Sequence, residues 1–301
     1  VTYSDGWGDW TDGGGSSLEL VDAHSDNRFG MNWEGSDESR KATNLWTSLC
    51  FTGRVENGTG VCDELNVFAL HRGEWLVDNV LVRKAGGSTR LSTDFESGLG
   101  TWKLYGSHVR SSLETGEGFE SAVSLHIRAT SQGEVMTSTD NTPQCNRTVG
   151  PLSPALVNGD DAVIEADCRW MAGWPFIAFD LKGYWTEAVV ELPIPSNLGT
   201  PGLPNSRMVA NAGPALQETA HEPVLPAALQ PVVVSCRTSD PDGVAAVTLR
   251  YRMDPSTNLT AVVLNDAGTN GDAVAFDSIY SGTIPGQTNG ALVAFTILAT
   301  D

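Results

Sequence analysis

Basic residues are scarce in this 301-residue sequence, which contains 18 Lys and Arg against 37 Asp and Glu and has a formal net charge of −19. Such a chain offers no basic stripe that could displace counterions from nucleic-acid phosphates, and anionic membrane surfaces repel it. We therefore expect no nucleic-acid partner. The acidity itself has two interpretations: solubility outside the cell, or calcium binding by a subset of the carboxylates.

Long apolar runs and catalytic motifs are also missing. No apolar run approaches the roughly 18 residues that a membrane-spanning helix needs. None of the five His residues belongs to an HExxH zinc motif, and the sequence contains no GxSxG nucleophile elbow, P-loop or dinucleotide fingerprint. We expect neither membrane insertion nor enzymatic activity.

Short alternating apolar and polar runs, separated by Asn-Gly and similar turns, recur along the whole chain. This pattern is typical of all-β proteins. Because the length allows two or three domains, the sequence predicts an all-β chain of several β-sandwiches. One short helix over residues 151–156 is an alternative for that segment alone. The clearest strand candidates cover residues 77–82, 124–128 and 247–252.

The cysteines are odd in number, which leaves at least one thiol unpaired. Cys50 and Cys62 flank the turn 56–59, so a disulfide between them would join the two strands of a hairpin if the Cα spacing fits the bond. The pair Cys145 and Cys168 is a weaker second candidate, and the alternative is five reduced thiols. Cys236 lies in an apolar strand and is expected to be a buried thiol.

A first family resemblance is divided between two distant segments. Residues 14–22 read GGSSLELVD, and residues 199–206 read GTPGLPNS. Joined together, these pieces resemble the closing strands of a lamin-tail-like domain, a small Ig-like β-sandwich of secreted bacterial proteins. The resemblance implies that segments 1–45 and 196–207 form one split domain, interrupted at an exposed loop tip where an insertion is tolerated.

The interruption carries a second resemblance, with its motifs in reversed order. Residues 94–102, DFESGLGTW, are similar to the opening of calcium-stabilised jelly-roll carbohydrate-binding modules. The closing motifs of that family come earlier in this chain, at 46–53, 64–70 and 73–80. A circularly permuted jelly roll over residues 46–195 explains this order, and two truncated tandem modules are the alternative. We favour permutation, because truncated modules would expose their interiors.

The jelly-roll resemblance also implies a structural calcium site. In that family an ion near the first strand is held by a Glu of the opening motif and an Asp of a closing strand. The matching residues here are Glu96 and Asp78, with Asp94 as a further candidate. Oxygen ligands on adjacent strands suit Ca²⁺, which takes roughly six to eight of them. The alternative is that Asp78 caps a strand and Glu96 pairs with an Arg.

The same resemblance implies carbohydrate binding by exposed aromatic rings. One turn holds Trp170 and Trp174, and another holds Tyr184 and Trp185. Exposed rings can stack on the C–H faces of sugars while a few polar groups fix the orientation. The alternative is that these rings fill the core or a contact with another domain or subunit. Trp102 matches a core position of the family and is interpreted as packing.

Residues 208–301 resemble an Ig-like or fibronectin-like module, with an apolar run at 231–236 and a final strand at 292–300. Within this segment, residues 266–277 place oxygens at four positions of an EF-hand-like loop. The third position is Gly, Asp replaces the terminal Glu, and no flanking helices are visible. We therefore interpret this loop as a solvated turn.

These features predict a non-catalytic, extracellular or cell-surface module of a large exported protein that binds a polysaccharide or cell-surface glycan or serves in adhesion. The alternative is a structural subunit of an extracellular fibre or surface layer, whose partners are neighbouring copies of itself and whose β edges accept strands. Three Asn-x-Thr sequons, at Asn57, Asn146 and Asn258, are candidate glycosylation positions.

Overall fold

The structure, a computed structural model, describes residues 6–58, 60–69, 71–131, 146–183 and 186–301. Within these ranges the fold is all-β, as predicted. Residues 151–156, for which a helix was an alternative, belong to a β-strand. Helical structure in the described ranges is limited to three short 3-10 helices, which are Gly30–Asn32, Ser39–Ala42 and Gly106–Arg110.

The chain divides into two compact units. The sandwich unit comprises Asp9–Ser17 and Gly35–Leu203. The C-terminal unit comprises the residues up to Gly8, Leu18–Glu34 and Pro204–Asp301. The finer division into a split lamin-tail-like domain, a jelly roll and an Ig-like module stays a prediction. Near the start of the chain, β1 (Leu18–Leu20) pairs with β2 (Trp33–Gly35).

In the described part of the sandwich unit, eleven strands are arranged in two antiparallel sheets. The strands are β3 (Thr47–Arg54), β4 (Cys62–Ala69), β5 (Gly73–Lys84), β6 (Thr89–Thr93), β7 (Lys103–Tyr105), β8 (Ser112–Thr115), β9 (Val123–Ala129), β10 (Arg147–Leu156), β11 (Asp161–Gly173), β12 (Phe176–Leu181) and β13 (Glu187–Glu191).

Both sheets combine strands from the early and the late part of the inserted segment. One sheet has the order β13-β12-β4-β10-β7, and the other has the order β3-β11-β5-β9-β8 with β6 beside β5. The early strand β4 therefore lies between two late strands, and β5 lies between β11 and β9. Among the described strands, neither half of the segment forms a sheet of its own, so both halves contribute to the same two sheets.

One apolar core lies between the two sheets. Trp75 and Ile164 contribute to it from the sheet that contains β5, and Val67 and Phe179 contribute from the opposite sheet. Phe95, which follows β6, belongs to the same core and is 1% exposed. Each such side chain stabilises the fold by about 1.5–3 kcal/mol, so the interleaved halves are held together chiefly by this burial.

The C-terminal unit contains two three-stranded antiparallel sheets with the orders β14-β15-β18 and β17-β16-β19. Its core includes Val234, Leu249 and Ile284, together with Cys236, which is a buried free thiol as predicted. The strands are β14 (Ala215–Glu222), β15 (Val232–Ser239), β16 (Ala246–Met253), β17 (Thr260–Leu264), β18 (Ile279–Ile284) and β19 (Val293–Thr300).

The two segments of the lamin-tail resemblance meet in the structure. In the sandwich unit, the hydroxyls of Ser17 and Thr200 are 3.2 Å apart. In the C-terminal unit, Asn205 Nδ2 donates to the Leu20 carbonyl at 3.0 Å, and Ser206 Oγ donates to a carboxylate oxygen of Glu19 at 2.9 Å. Segments that are distant in sequence are therefore joined by hydrogen bonds.

Asp180 is a titratable group on β12 whose ionisation opposes folding. Asn66 Nδ2 donates to Asp180 Oδ2 at 3.2 Å. Burial raises the pKa of Asp180 to about 7, and the charge of Glu187 on the neighbouring strand adds to the effect. Between pH 4 and pH 7 the folded protein holds this proton more tightly than the unfolded chain. The free energy of unfolding contributed by Asp180 therefore falls as pH rises through this window.

We predict that Asp180→Asn raises the free energy of unfolding at pH 8 by about 2 kcal/mol, because the amide keeps the hydrogen bond to Asn66 without a buried charge. Urea unfolding from pH 5 to pH 8 measures this effect, and the variant should lose less stability across the range than the wild type. Glu187→Gln is the matched control, with a smaller effect expected. Parallel pH profiles for wild type and Asp180→Asn would contradict the prediction.

Candidate functional site: an aromatic cluster at two adjoining turns

Two turns of the sandwich unit meet at one end of the sheet that contains β5. The first turn precedes β5, and the second follows β11. Gly73, the first residue of β5, pairs with Gly173, the last residue of β11. Trp174 N donates to the Arg72 carbonyl at 3.1 Å, which ties the second turn to the first. Gly73 has no room for a side chain, because a Cβ would lie 2.3 Å from the Trp75 ring. The sequence therefore fixes how closely the turns approach.

Two buried indoles hold the backbone of the second turn. Trp170 Nε1 donates to the Gly173 carbonyl at 2.9 Å, and Trp75 Nε1 donates to the Trp174 carbonyl at 3.0 Å. Both rings are fully buried. Trp170 was predicted as a sugar-binding ring, and the structure corrects this: it faces the core opposite Trp75, its partner on β5. Trp170 is thus a positioning residue.

Trp174, in contrast, is exposed and lies at the centre of a row of rings. Trp174 is 45% exposed. The ring centroids of His71 and Phe176 each lie 5.6 Å from a Trp174 ring, with an interplanar angle of 38° in both cases. We call His71, Arg72, Trp174 and Phe176, with Trp10, the aromatic cluster.

Trp10 connects this row to polar groups on the sheet. The Arg72 guanidinium lies 4.8 Å from the centroid of a Trp10 ring, in a cation–π contact. Trp10 Nε1 donates to Glu74 Oε1 at 3.0 Å. The cluster therefore combines ring faces with a cation and a carboxylate at its border.

Glu74 belongs to a network of acidic and basic side chains on β5, β8 and β9. His126 Nε2 lies 2.8 Å from Glu74 Oε2, and His126 Nδ1 lies 3.1 Å from Glu114 Oε2. Arg128 Nε lies 3.6 Å from Glu74 Oε2. Burial alone would raise the pKa of Glu74, but the interactions with His126, Trp10 and Arg128 outweigh burial and lower it. Glu74 is therefore an ionised acceptor beside the aromatic cluster.

Sequence reasoning identified Trp174 but missed its companions. Trp10, His71 and Arg72 lie far from Trp174 in sequence, and no spacing rule connects them. The usable signal was a glycine at each turn, Gly73 and Gly173, because paired glycines mark a close approach of two backbones. The other two predicted sugar-binding rings, Tyr184 and Trp185, lie outside the described residues. Trp102 packs in the core against Phe95, at a centroid distance of 5.4 Å.

Asp78, a predicted calcium ligand, is fully buried and accepts three hydrogen bonds. Its Oδ2 accepts from Phe119 N at 2.8 Å and from Ser121 Oγ at 2.9 Å, and its Oδ1 accepts from Asn79 N at 2.7 Å. Burial raises the pKa of Asp78, against these hydrogen bonds, which lower it, and with the charge of Asp167 adding to the rise. The carboxylate anchors the 117–121 segment.

Glu96 and Asp94, the other predicted calcium ligands, are exposed and accept amide hydrogen bonds. Glu96 Oε1 accepts from Ala122 N at 2.9 Å and from Val123 N at 2.6 Å. Asp94 Oδ1 accepts from Glu96 N at 3.2 Å. The groups placed around these carboxylates are mainly N–H donors, whereas calcium requires a shell of oxygen atoms. The arrangement does not fit the ion at these residues, and calcium binding there stays a prediction.

In the described ranges, one acidic triad has its carboxylate atoms within 4.8 Å of one another. It consists of Asp266, Asp272 and Asp277, in the loop that has the EF-hand-like spacing. Asp266 accepts from Asp277 N at 3.1 Å and from Ser278 N at 3.0 Å, and Asp277 accepts from Ile279 N at 3.0 Å. These carboxylates therefore act as acceptors for amides of their own loop.

The predicted disulfide between Cys50 and Cys62 is not present, and this prediction is corrected. Both cysteines are free. Strands β3 and β4 lie in opposite sheets, so the connection between them crosses the sandwich, with Val55 buried in the core. Cys50 is exposed, whereas Cys62 is buried, and burial raises the pKa of the Cys62 thiol to about 12. Of the weaker candidate pair, Cys168 is a buried free thiol and Cys145 lies outside the described residues.

The three sequon asparagines differ in accessibility. Asn57 and Asn258 are exposed. Asn146 is half-buried, and its Oδ1 accepts a hydrogen bond from Ser107 N at 2.7 Å. Glycosylation at all three positions stays a prediction, and Asn57 and Asn258 are the more accessible acceptors.

Comparison of the sequence with models of known protein families gives no match, and comparison with curated proteins gives none either. The residues that the structure describes include no helix with the length and apolar character needed to cross a membrane.

We predict that Asp78→Asn lowers the free energy of unfolding by about 1–3 kcal/mol, because an amide cannot accept from Phe119 N, Ser121 Oγ and Asn79 N together. Urea unfolding with EDTA and with millimolar calcium measures the loss, which should be equal in both. Asp94→Asn, at an exposed carboxylate with one weak acceptor contact, is the control and should cost less. A loss confined to the calcium sample would instead identify Asp78 as an ion ligand.

Proposed function

We propose that the protein is a non-catalytic extracellular module that binds a neutral polysaccharide or cell-surface glycan through the aromatic cluster. The observation that carries this proposal is the exposed ring of Trp174 on a turn whose carbonyl groups are held by two buried indoles. A ring that is already fixed loses little conformational entropy on binding, and this favours recognition of weakly interacting ligands such as sugars.

The row of rings supports a sugar more than a small charged ligand. Aromatic faces contact the C–H groups of a pyranose, and His71 and Phe176 extend the face that Trp174 presents. A short row of half-exposed rings on a turn also suits an extended chain better than a compact molecule, since nothing in the cluster encloses the ligand on all sides.

Polar groups at the border of the cluster supply orientation. Arg72 is exposed and offers guanidinium N–H donors, while the ionised Glu74 carboxylate offers acceptors. Sugar hydroxyls both donate and accept hydrogen bonds, so one donor and one acceptor side chain beside a ring are a suitable minimum for recognition.

The overall charge selects the ligand class. A protein with a net charge of −19 repels anionic polysaccharides that approach its surface, and the two cations near the cluster, Arg72 and Arg128, do not outweigh this charge. Neutral glycans are not repelled by this charge. Binding to neutral glycans on a cell surface would also produce adhesion.

We predict that Trp174→Ala reduces binding to a neutral glycan by about five- to thirtyfold, since loss of one stacking ring removes roughly 1–2 kcal/mol. The measurement is an array of neutral and anionic polysaccharides probed with the wild type, followed by calorimetric titration of the best ligand with each variant. The thermal unfolding midpoint should change little, because the Trp174 ring is exposed.

Phe276→Ala is the matched control, because Phe276 is 90% exposed and lies in the C-terminal unit. This variant should bind like the wild type. A wild-type protein that binds no polysaccharide on the array, or equal binding by Trp174→Ala and the wild type, would overturn the proposal.

A further inference from the structure

Strand β19 is an edge strand of the C-terminal unit with an unpaired outer side. It pairs with β16 on one side, and none of the other described strands pairs with it on the opposite side. Asp254 N donates to the Leu292 carbonyl at 3.0 Å, which sets the antiparallel alternation. By that alternation, the backbone groups of Phe295 and Ile297 point away from β16, toward the open side.

The sequence of β19 lacks the features that normally protect an edge. Residues 290–300 contain no charged side chain and no proline. Natural edge strands are blunted by Lys or other charges, by Pro, by a bulge or by being short, and a long uncharged edge is a template for strand pairing. Leu298, on the outer face, is 40% exposed.

The other edges of the two three-stranded sheets are protected. β14 carries a bulge between Gln217 and Ala220, with Glu218 exposed within it. β17 has only five residues. β18 is bridged to the residue after β17, because Asn265 and Ser281 exchange backbone hydrogen bonds at 3.0 and 2.9 Å. Among the described edges of these two sheets, β19 alone combines eight residues, no charged side chain and no bridge on its outer side.

An apolar cleft opens beside β19, on the side where β14 faces it. The cleft has a volume of about 300 Å³, and its walls include His221, Val232, Ile284, Val293 and Phe295. The core-facing residues of β19, Val293, Phe295 and Ile297, are only partly buried, in contrast to Leu249 of the central strand β16. Added chain along this edge would cover them.

We propose that β19 pairs with the β19 of a second copy of this chain, antiparallel and about a two-fold axis. The three-stranded sheet would become a six-stranded sheet that continues through both copies. This interaction lies in the C-terminal unit and does not depend on the glycan proposal, which concerns the sandwich unit.

The occupant is a second copy because β19 is complementary to itself. A two-fold contact places the same strand on both sides, so any charge in its centre would face an identical charge. Residues 290–300 avoid this repulsion by carrying none. Alternating apolar residues of one strand would also continue the inner face of the other, as antiparallel neighbours share the same alternation.

The test uses the full 301-residue chain and compares two double variants. Thr296→Lys with Leu298→Lys places two charges on the outer face of β19. Ala261→Lys with Val263→Lys places two charges on the outer face of β17, the opposite edge of the same sheet. The two pairs are matched, because Thr296 and Ala261 both pair with Arg250, while Leu298 and Val263 both pair with Thr248.

Sedimentation velocity over roughly 1–500 µM protein, at 0.15 M salt, measures association. We expect a concentration-dependent dimer for the wild type and for the β17 variant, and an increase of at least about tenfold in the dimer Kd for the β19 variant. Amide exchange of Phe295 and Ile297 should slow with wild-type concentration. A wild-type monomer throughout this range, or dimers unaffected by the β19 lysines, would overturn the proposal.

Discussion

The pairing of β5 with β11 on one side and β9 on the other is the constraint on which the sandwich unit depends. β5 is 12 residues long and crosses the centre of its sheet. Because its neighbours come from later in the chain, neither half of the sequence can satisfy its backbone hydrogen bonds alone. Pairing of strands from both halves is therefore a condition for folding. These contacts are distant in sequence, so the entropy of closing large loops must be lost before the contacts can stabilise the fold.

The same register places the aromatic cluster. Since β5 begins at Gly73 and β11 ends at Gly173, opposite each other, the turns beyond them must adjoin. The buried indoles of Trp75 and Trp170 then need acceptors, and the turn carbonyls supply them. The same hydrogen bonds therefore satisfy the buried indole N–H groups and fix the turn that carries the exposed Trp174 ring. The packing of the core thus sets the geometry of this surface.

Much of the strand content could be predicted from sequence, because alternation and turn residues are local signals. The reversed motif order also predicted that segments around Trp75 and Phe95 share one core. The burial of Trp170 could not be predicted. In sequence, Trp170 and Trp174 differ only in that one precedes Gly173 and the other follows it. Gly173 has a left-handed backbone conformation, with φ +74°. The strand alternation of inward and outward side chains ends there, so it could not be used to assign the side on which Trp174 lies.

The Cys50–Cys62 hypothesis failed for a related reason. Two strands that flank a short turn at equal distances predict a hairpin, but the chain can also use the turn to pass from one sheet to the other. The deciding residue is Val55, which is buried and receives its backbone partner from Asp160 of another segment. The spacing of residues around the turn cannot reveal a partner as distant in sequence as Asp160. An apolar residue such as Val55 inside a polar turn, however, indicates that the chain enters the core.

The net charge of the chain bears on both glycan binding and the association of copies. A net charge of −19 opposes association of copies in general, yet this repulsion is long-range and is screened beyond about 8 Å at physiological ionic strength. Pairing of two strands is decided at shorter distances, by hydrogen bonds and by the side chains directly opposite. An acidic surface with a long uncharged edge therefore suppresses unspecific contacts while it leaves one specific contact open, and the placement of charge outside residues 290–300 is what makes the two effects compatible.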